Sequence, residues 1–119
     1  MTAHETAKDL FDRYTEALLG GDVAAVARFY AVPALIERPE QRLALSSAEE
    51  VASFIVASAS AYAGVRDLRH EMDVAAATEH SVWADVTWHF TGRPPERDMY
   101  QLVLVKGEWR IAVMTPLAL

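Results

Sequence analysis

The sequence contains no cysteine, so disulfides and thiolate chemistry are excluded. It also lacks an apolar run near the ~20 residues that a membrane-spanning helix requires. Basic residues are few and scattered, with 11 Lys and Arg against 17 Asp and Glu and a net charge of −6. Nucleic-acid binding needs a basic surface that contacts phosphates. We therefore expect neither a nucleic-acid nor a membrane partner.

Signals for export, metals and cofactors are missing as well. The first residues lack the basic and apolar regions of a signal peptide, which predicts a cytoplasmic location. There is no His-Glu-x-x-His sequence, no glycine-rich phosphate loop and no serine framed by a nucleophile elbow. Any chemistry is therefore expected to proceed without a metal or a cofactor.

The composition is typical of a globular domain. The chain has 119 residues, of which 52% are hydrophobic and 24% are charged. This length suits one sizeable hydrophobic core, and no repeat or linker divides the chain. The sequence predicts a single domain over residues 1–119.

The first predicted helix has clear signals at both ends. Thr2 and Glu5 have the spacing of a capping box, and the pair Gly20 and Gly21 supplies a helix stop. Apolar residues recur between them at helical spacing, which predicts one buried stripe. The stripe consists of Ala7, Leu10, Phe11, Tyr14, Ala17 and Leu18.

Two further helical segments follow. Asp22 can cap a short helix over residues 23–30. Ser46 and Ser47 are each followed three residues later by a glutamate, which is the capping-box spacing. Behind them apolar residues recur at helical spacing up to Gly64, so a third helix is predicted there.

The remaining segments favour strands. Pro33 ends the second helical pattern, and most of the later segments alternate between apolar and polar residues. Residues 92–96, Gly-Arg-Pro-Pro-Glu, are predicted to form a loop. The predicted strands are residues 34–38, 42–45, 68–76, 81–91, 97–106 and 109–114.

The last two strands are expected to form a hairpin that turns at Lys106–Gly107 or at Gly107–Glu108. Both registers give the same two faces. The predicted inner face consists of Tyr100, Leu102, Leu104, Trp109, Ile111 and Val113. The predicted outer face consists of Gln101, Val103, Val105, Arg110, Ala112 and Met114. This outer face is more apolar than a solvated sheet requires, so we expect a homodimer through the outer face of the sheet.

Helices first and an antiparallel sheet afterwards indicate the α+β fold class. We expect the three N-terminal helical segments to pack into a curved, mostly antiparallel sheet. Because sheets twist, this sheet would wrap the helices as a cone-shaped α+β barrel. Residues at the open end of such a cone would line a pocket for a small molecule.

Four stretches carry a resemblance to a known family. They are Phe-Asp-Arg-Tyr-Thr-Glu-Ala-Leu-Leu-Gly-Gly-Asp at 11–22, Phe29-Tyr30 through Ile-Glu-Arg-Pro at 36–39, Ser-Ala-Glu-Glu-Val at 47–51, and Lys-Gly-Glu-Trp-Arg-Ile at 106–111. With them the chain resembles the nuclear transport factor 2-like superfamily, in its SnoaL-like and ketosteroid-isomerase-like branch. The resemblance implies the cone fold. It leaves the activity open among isomerases, dehydratases, epoxide hydrolases, cyclases and non-enzymatic binders.

The ketosteroid isomerases of this superfamily use a tyrosine, an aspartate base and a protonated acid. By the resemblance, Tyr14 occupies the place of the tyrosine. Arg38, with Glu37 beside it, occupies the place of the base, and Tyr100 occupies the place of the protonated acid. Two of the three positions therefore depart from the isomerase pattern. The Asp–Arg–Asp set of the epoxide hydrolases is not evident either.

Two residues are the candidates for catalysis. His70 is the one ionisable group on an otherwise apolar strand face, where burial would shift its pKa. Tyr14 could donate a hydrogen bond to a ligand oxygen. The alternatives are a structural histidine and a core tyrosine. His89 falls on the opposite face of its strand and is interpreted as an outer residue.

The predicted pocket combines aromatic, apolar and charged side chains. Glu37 and Arg38 point to opposite sides of their strand, so only one of them can enter it. The predicted lining residues are Leu18, Phe29, Tyr30, Glu37, Arg38, Met72, Trp88 and Tyr100.

Two functional hypotheses follow. The first is a cofactor-independent isomerase, dehydratase or cyclase that acts by general acid–base chemistry on a small apolar or aromatic molecule. The second is a non-catalytic ligand-binding domain or a dimeric assembly domain. The sequence alone leaves both open.

Overall fold

A computed structural model describes residues 1–119 as three helices and a six-stranded sheet. The first two strands lie between the second and third helices, and the other four follow the third helix. The helices are α1 (Ala3–Gly20), α2 (Val23–Ala27) and α3 (Ala48–Ala59), and a 3₁₀ turn (Ser60–Tyr62) follows α3. The strands are β1 (Tyr30–Arg38), β2 (Gln41–Leu45), β3 (Leu68–Ala77), β4 (Ser81–Phe90), β5 (Arg93–Val105) and β6 (Glu108–Leu117).

Helix α1 begins at the predicted capping box. The Thr2 hydroxyl accepts a hydrogen bond from the Glu5 amide at 3.1 Å, and the Thr2 amide donates to the Glu5 carboxylate at 2.9 Å. The helix ends where Gly21 adopts a left-handed φ of 69°. Its apolar stripe buries Leu10, Phe11 and Tyr14 against the sheet, as predicted.

Helix α2 is shorter than predicted. It ends at Ala27 rather than at residue 30, because the following residues pair with the sheet. The Phe29 carbonyl accepts a hydrogen bond from the Ile111 amide at 2.7 Å, and Tyr30 opens β1. In α3 the cap is Ser47, whose hydroxyl accepts from the Glu50 amide at 3.1 Å. The helix itself ends at Ala59, before the predicted stop at Gly64.

The strand order is β2-β1-β6-β5-β4-β3. All neighbouring pairs are antiparallel except β1 and β6, which are parallel. The predicted α+β class and curved, mostly antiparallel sheet are confirmed. The meander from β3 to β6 forms one part of the sheet, and the β1–β2 hairpin extends it beyond β6.

Strands β1 and β5 begin earlier than predicted because irregular registers accommodate their prolines. Strand β1 begins at Tyr30 rather than at residue 34, and its register to β6 shifts between Tyr30 and Leu35, around Pro33. Strand β5 begins at Arg93 rather than at residue 97, with a register shift opposite Trp88 and Phe90. The predicted loop at residues 92–96 is therefore wrong, since most of it belongs to β5.

The final hairpin turns at Lys106–Gly107, which have φ angles of 51° and 82°. This is one of the two predicted registers, and positive φ at both positions suits the twist of a hairpin. A bulge follows in β6, because Leu102 pairs with Ile111 whereas Gln101 pairs with Val113. Because of the extra residue, side chains after it point to the opposite face from the one that regular alternation predicts.

The bulge corrects two predicted positions. Met114 lies opposite Tyr100 and packs against the core, although it was expected on the outer face. Val113 lies opposite Gln101 and belongs to the outer face, although it was expected inside. Leu104 is also wrongly predicted as covered. It is 41% exposed, because it lies two residues before the turn at the tip of the hairpin.

The core lies between the helices and the inner face of the sheet. None of the helices has the length and apolar character needed to cross a membrane. The fully buried side chains of greatest volume are Phe11, Leu10, Ile36, Leu102, Ile111, Val51, Val82 and Val86.

Candidate functional site

Three tyrosines from different elements meet inside the cone. Tyr14 comes from α1, Tyr30 from the start of β1 and Tyr100 from β5, and each is at most 5% exposed. The hydroxyl oxygens of Tyr14 and Tyr30 are 2.5 Å apart. The indole nitrogen of Trp88 donates to the Tyr100 hydroxyl at 3.0 Å. The Phe11 ring packs between these groups, 4.9 Å from the Tyr100 ring.

This arrangement leaves some tyrosine hydroxyl protons without a hydrogen-bond acceptor. A tyrosine hydroxyl can both donate and accept a hydrogen bond. In the pair of Tyr14 and Tyr30, one hydroxyl donates and the other retains its proton. Tyr100 accepts from Trp88, so its own proton is also free. The interior therefore presents two spare donors, which is the chemistry that stabilises a ligand oxygen.

The tyrosines keep their protons at neutral pH. Burial raises the pKa of Tyr14 and of Tyr100 well above the usual value, and neighbouring phenol groups raise them further. Burial also raises the pKa of Tyr30 to about 12. All three are therefore hydrogen-bond donors rather than phenolates.

Asp98 is the acid next to this cluster. It lies on the same face of β5 as Tyr100, because the two are separated by one residue, and it pairs with Val86 and Pro116. Burial raises the pKa of Asp98 to about 6, with a further contribution from the charge of Glu96, whereas Arg38 opposes the shift. The Asp98 charge also raises the pKa of Tyr14, Tyr30 and Tyr100.

Glu96 extends the acidic side of the site. It lies one step further along the same face of β5, opposite Trp88. The Tyr62 hydroxyl donates to its two carboxylate oxygens at 2.7 and 3.1 Å. The Tyr62 ring stacks on Phe90, and the Arg93 guanidinium lies over both rings at 5.2 and 5.4 Å. The 3₁₀ turn is thereby tied to the sheet beside Asp98.

The alternation of side chains along β1 shows which of Glu37 and Arg38 lies on the inner face, near Asp98. Ile36 is fully buried on the inner face, so Arg38, two residues later, shares that face and Glu37 does not. The Arg38 guanidinium lies 5.8 Å from the centre of the Phe54 ring of α3. Arg38 is exposed and Asp98 is half-buried, so this end of the inner face reaches solvent while the tyrosines behind it stay buried. This region, formed by Arg38, Glu96 and Asp98, is called the wide end.

His70 lies in a different neighbourhood. It faces inward from β3, as predicted, and its ring packs 6.1 Å from Phe11 and 5.7 Å from Trp88. Its Nε2 is 3.0 Å from the carboxylate of Asp12, on the exposed side of α1. Burial lowers the pKa of His70, although the Asp12 charge opposes this shift. His70 forms no recorded hydrogen bond with the tyrosine hydroxyls.

The other predicted lining residues are spread over the core. Met72 and Leu18 are half-buried and pack against the central cluster. The Phe29 ring centre lies 5.5 Å from that of Tyr14, and the Arg13 guanidinium lies 5.4 Å from the centre of the Phe29 ring. His89 is 3.2 Å from the exposed Glu71, which agrees with the predicted outer position.

Two surface depressions lie away from the wide end. One, of about 510 Å³, is bordered by α1, α2 and the β5–β6 turn, and Phe29 and Trp109 contribute to its wall. The other, of about 360 Å³, lies along residues 63–67 beside Thr91 and Arg93. No group of three or more His, Asp or Glu side chains is arranged to hold a metal ion.

Sequence reasoning missed Asp98 and Glu96, although the signal was present. The alternation that places Tyr100 and Leu102 inside also places Asp98 and Glu96 inside when it is continued backwards along β5. The predicted loop at residues 92–96 cut this pattern short. An acid on an inward face beside a tyrosine is the observation that would have revealed the site.

The comparisons with known proteins agree with the fold. The family described as NTF2-like protein (DUF6841) matches residues 4–118. No curated protein sequence matches the chain at a significant level.

Several solved structures share the architecture. An NTF2-like protein from Cytophaga hutchinsonii has a TM-score of 0.75 and 15% identity, with 100% of both chains covered. An NTF-2 like protein of unknown function from Shewanella oneidensis has a TM-score of 0.77 and 11% identity, covering 97% of this chain and 98% of that one. A DUF3225 family protein of unknown function from Pectobacterium atrosepticum has a TM-score of 0.74 and 20% identity, covering 98% and 91%. At such identities the likeness establishes the fold alone.

Proposed function

Because the chain belongs to the NTF2-like protein family DUF6841, we propose that its wide end binds a small apolar ring molecule with a carbonyl oxygen and moves a proton on it. The observation that supports this proposal is the position of Asp98 beside tyrosine hydroxyls with spare protons. A carboxylate and oxygen-directed donors on one inner face are the groups that general acid–base chemistry requires.

The steps use only side chains of this chain. The Asp98 carboxylate takes a proton from the carbon next to the carbonyl, the electron pair of the broken C–H bond forms a carbon–carbon double bond, and the π pair of the carbonyl moves onto its oxygen. The spare hydroxyl protons of Tyr100 and of the Tyr14–Tyr30 pair donate to the developing oxyanion. Asp98 then returns the proton to another atom of the same molecule. Isomerisation, dehydration and cyclisation share this first step.

The charge state of Asp98 suits this role. A pKa of about 6 leaves most of the carboxyl ionised at neutral pH, yet makes it more basic than an ordinary aspartate. His70, the base expected from the sequence, is engaged with Asp12 on the exposed side of α1. We therefore assign the proton transfer to Asp98 rather than to His70.

A ring ketone with exchangeable protons tests the proposal. In D₂O, the protein should accelerate the exchange of the α-protons of 2-tetralone for deuterium, followed by NMR. Asp98→Asn should abolish the acceleration, whereas Asp73→Asn, an exposed carboxylate on β3, should preserve it. An unaccelerated exchange with the unmodified protein, or an equal rate with Asp98→Asn, would contradict the proposal.

A homodimer through the outer face of the sheet is a second proposal. It is favoured by Trp83, which is 37% exposed in the middle of a strand and lies in one rung with Gln101 and Val113. Val103 lies on the same face one step along β5. A large aromatic ring among aliphatic side chains is typical of a protein interface rather than of a solvated sheet.

A further inference from the structure

We propose that the wide end selects ligands that carry a carboxylate or a similar anionic group, which Arg38 binds, and that this binding is coupled to proton uptake by Asp98. The inference rests on the proposed function and names the class of ligand for that site. Two observations support it. The register of β1, β6 and β5 brings Arg38 and Asp98 together, and Arg38 has no anionic partner whereas Arg93 is already engaged.

The register brings Arg38 and Asp98 to the same rung of the sheet. Ile36 pairs with Met114, and Met114 pairs with Tyr100, so these three residues cross the sheet from β1 through β6 to β5. One step further along each strand, on the same face, lie Arg38 on β1 and Asp98 on β5. Strands next to each other are about 4.8 Å apart, so about 10 Å separates these two backbones. A ligand that spans this distance touches both side chains.

Arg38 is the arginine at this end with no anionic partner. Its side chain makes no hydrogen bond or ion pair, and its guanidinium lies over the Phe54 ring, 5.8 Å from the ring centre. Arg93 is engaged, because it donates to the Ala61 carbonyl at 3.0 Å and covers the Tyr62 ring. Glu96 is engaged as well, by Tyr62. An inward-facing and unpaired arginine beside an aromatic ring is suited to an anionic ring compound.

The charges around Asp98 explain the coupling. The charged groups that affect its pKa are Glu96 on its own strand and Arg38 on β1. The neighbouring tyrosines stay protonated and carry no charge, and they are Tyr14, Tyr30, Tyr62 and Tyr100. From β4 and β6 its cross-strand neighbours Val86 and Pro116 carry no charge. Arg38 is thus the cation that holds down the pKa of Asp98. An anion bound to Arg38 cancels this effect, so Asp98 takes up a proton.

Protonated Asp98 has a chemical consequence. A neutral carboxyl group can donate a hydrogen bond or a proton, whereas the empty site keeps the carboxylate as an acceptor. An anionic ligand would therefore protonate part of the Asp98 population as it binds, so the proton abstraction proposed above would proceed with such a ligand only at a pH high enough to keep Asp98 ionised. A neutral ligand of the same shape would leave Asp98 ionised.

A matched pair of probes tests this selectivity. 2-Naphthoate and 2-naphthamide have the same ring system and differ in charge. Chemical shifts of Trp88, Tyr100 and Met114 would report binding of each probe at the wide end. We expect 2-naphthoate to bind more tightly than 2-naphthamide. Its affinity should rise by about three- to tenfold from pH 8 to pH 5.5, where an aromatic carboxylate is still ionised.

Two arginine variants separate a specific contact from general charge. Arg38→Gln should remove both the preference for 2-naphthoate and its pH dependence. Arg42→Gln should leave both unchanged, because Arg42 pairs with Glu37 on the other face of the β1–β2 hairpin. Asp98→Asn should keep the preference for the anion but remove the pH dependence.

The outcomes distinguish this inference from the proposed function. Equal affinity for the two probes, or an unchanged preference in Arg38→Gln, would overturn the inference and leave the site at the wide end standing. If neither probe shifts the resonances of Trp88, Tyr100 or Met114, the proposed site itself is refuted. A preference for 2-naphthoate without any pH dependence would refute the coupling to Asp98.

Discussion

The hydroxyl oxygens of Tyr14 and Tyr30 lie 2.5 Å apart inside the cone, and they connect the first helix to the first strand. Both side chains are buried, so neither hydroxyl can replace its partner with bulk water. This contact ties the helical layer to the sheet. It also leaves one hydroxyl proton of the pair spare, and so joins the stability of the fold to the chemistry proposed for it.

Removal of one hydroxyl should destabilise the protein. We expect Tyr14→Phe and Tyr30→Phe each to lower the free energy of unfolding by about 1 to 2 kcal/mol, since each leaves a buried hydroxyl unpaired. The double variant should cost less than the sum, by about 1 kcal/mol, because no unpaired hydroxyl is left. Urea unfolding of the four proteins measures this coupling. Strict additivity would show that the contact contributes nothing.

Loss of the Asp98 charge should stabilise the protein at neutral pH. Its pKa rises from 3.8 to about 6 on folding, so the folded state binds the proton more tightly than the unfolded state does. Stability due to this group is full below pH 3.8 and is lost as the pH rises through 6. Asp98→Asn should therefore raise the free energy of unfolding at pH 7 by about 1 to 3 kcal/mol.

The pH profile supplies the control for that prediction. The gain from Asp98→Asn should vanish in thermal unfolding below pH 3.8, where the aspartate is protonated in both states. Asp73→Asn should show no comparable change with pH, because Asp73 is exposed on β3. A stability gain that is the same at all pH values would mean that the charge of Asp98 is not the cause.

The bulge in β6 makes a paired prediction for stability. Met114→Ala should lower the free energy of unfolding by about 1.5 to 3 kcal/mol, because Met114 packs on the core opposite Tyr100. Val113→Ala should cost less than about 1 kcal/mol, because its side chain is on the outer face. Urea unfolding compares the two variants. A larger loss of stability in Val113→Ala than in Met114→Ala would contradict the bulge and favour the regular register that the sequence pattern predicts.

That bulge illustrates why the sequence predicted most of the fold but misplaced part of the site. Caps, periodicity and turn residues act over a few neighbours, so α1, the start of α3 and the turn at Lys106–Gly107 could be read locally. A bulge depends on how two strands pair, and nothing in residues 109–114 marks it. The same limit applies to α2, whose last turn is displaced by pairing between Tyr30 and Ile111.

The side chains of the candidate site were predictable in part, for a related reason. Tyr30, Trp88 and Tyr100 are among the predicted pocket residues, Tyr14 is a predicted catalytic residue, and these four side chains do meet. The sequence does not reveal Asp98 because Pro94 and Pro95 predict a loop, whereas the register shift accommodates them in β5. Which carboxylate lies beside which hydroxyl is a long-range property of strand order.

The proposed homodimer gives a direct prediction for mass. Light scattering at micromolar concentration should give twice the 13.2 kDa mass of the chain. Trp83→Lys should reduce this to the monomer, because it places a charge at the centre of the apolar outer face. Lys106→Glu, a charge change at the exposed hairpin turn, should leave the mass unchanged. A monomeric mass for the unmodified protein would refute the dimer.

An NMR titration of the Asp98 carboxyl carbon in the unmodified protein tests whether this half-buried acid has a raised pKa. We expect a midpoint near pH 6, with a lower midpoint in Glu96→Gln and a higher one in Arg38→Gln, since these variants remove the charges that oppose and favour ionisation. A midpoint near 3.8 in all three proteins would contradict this expectation, because Asp98 would then be an ordinary surface carboxylate.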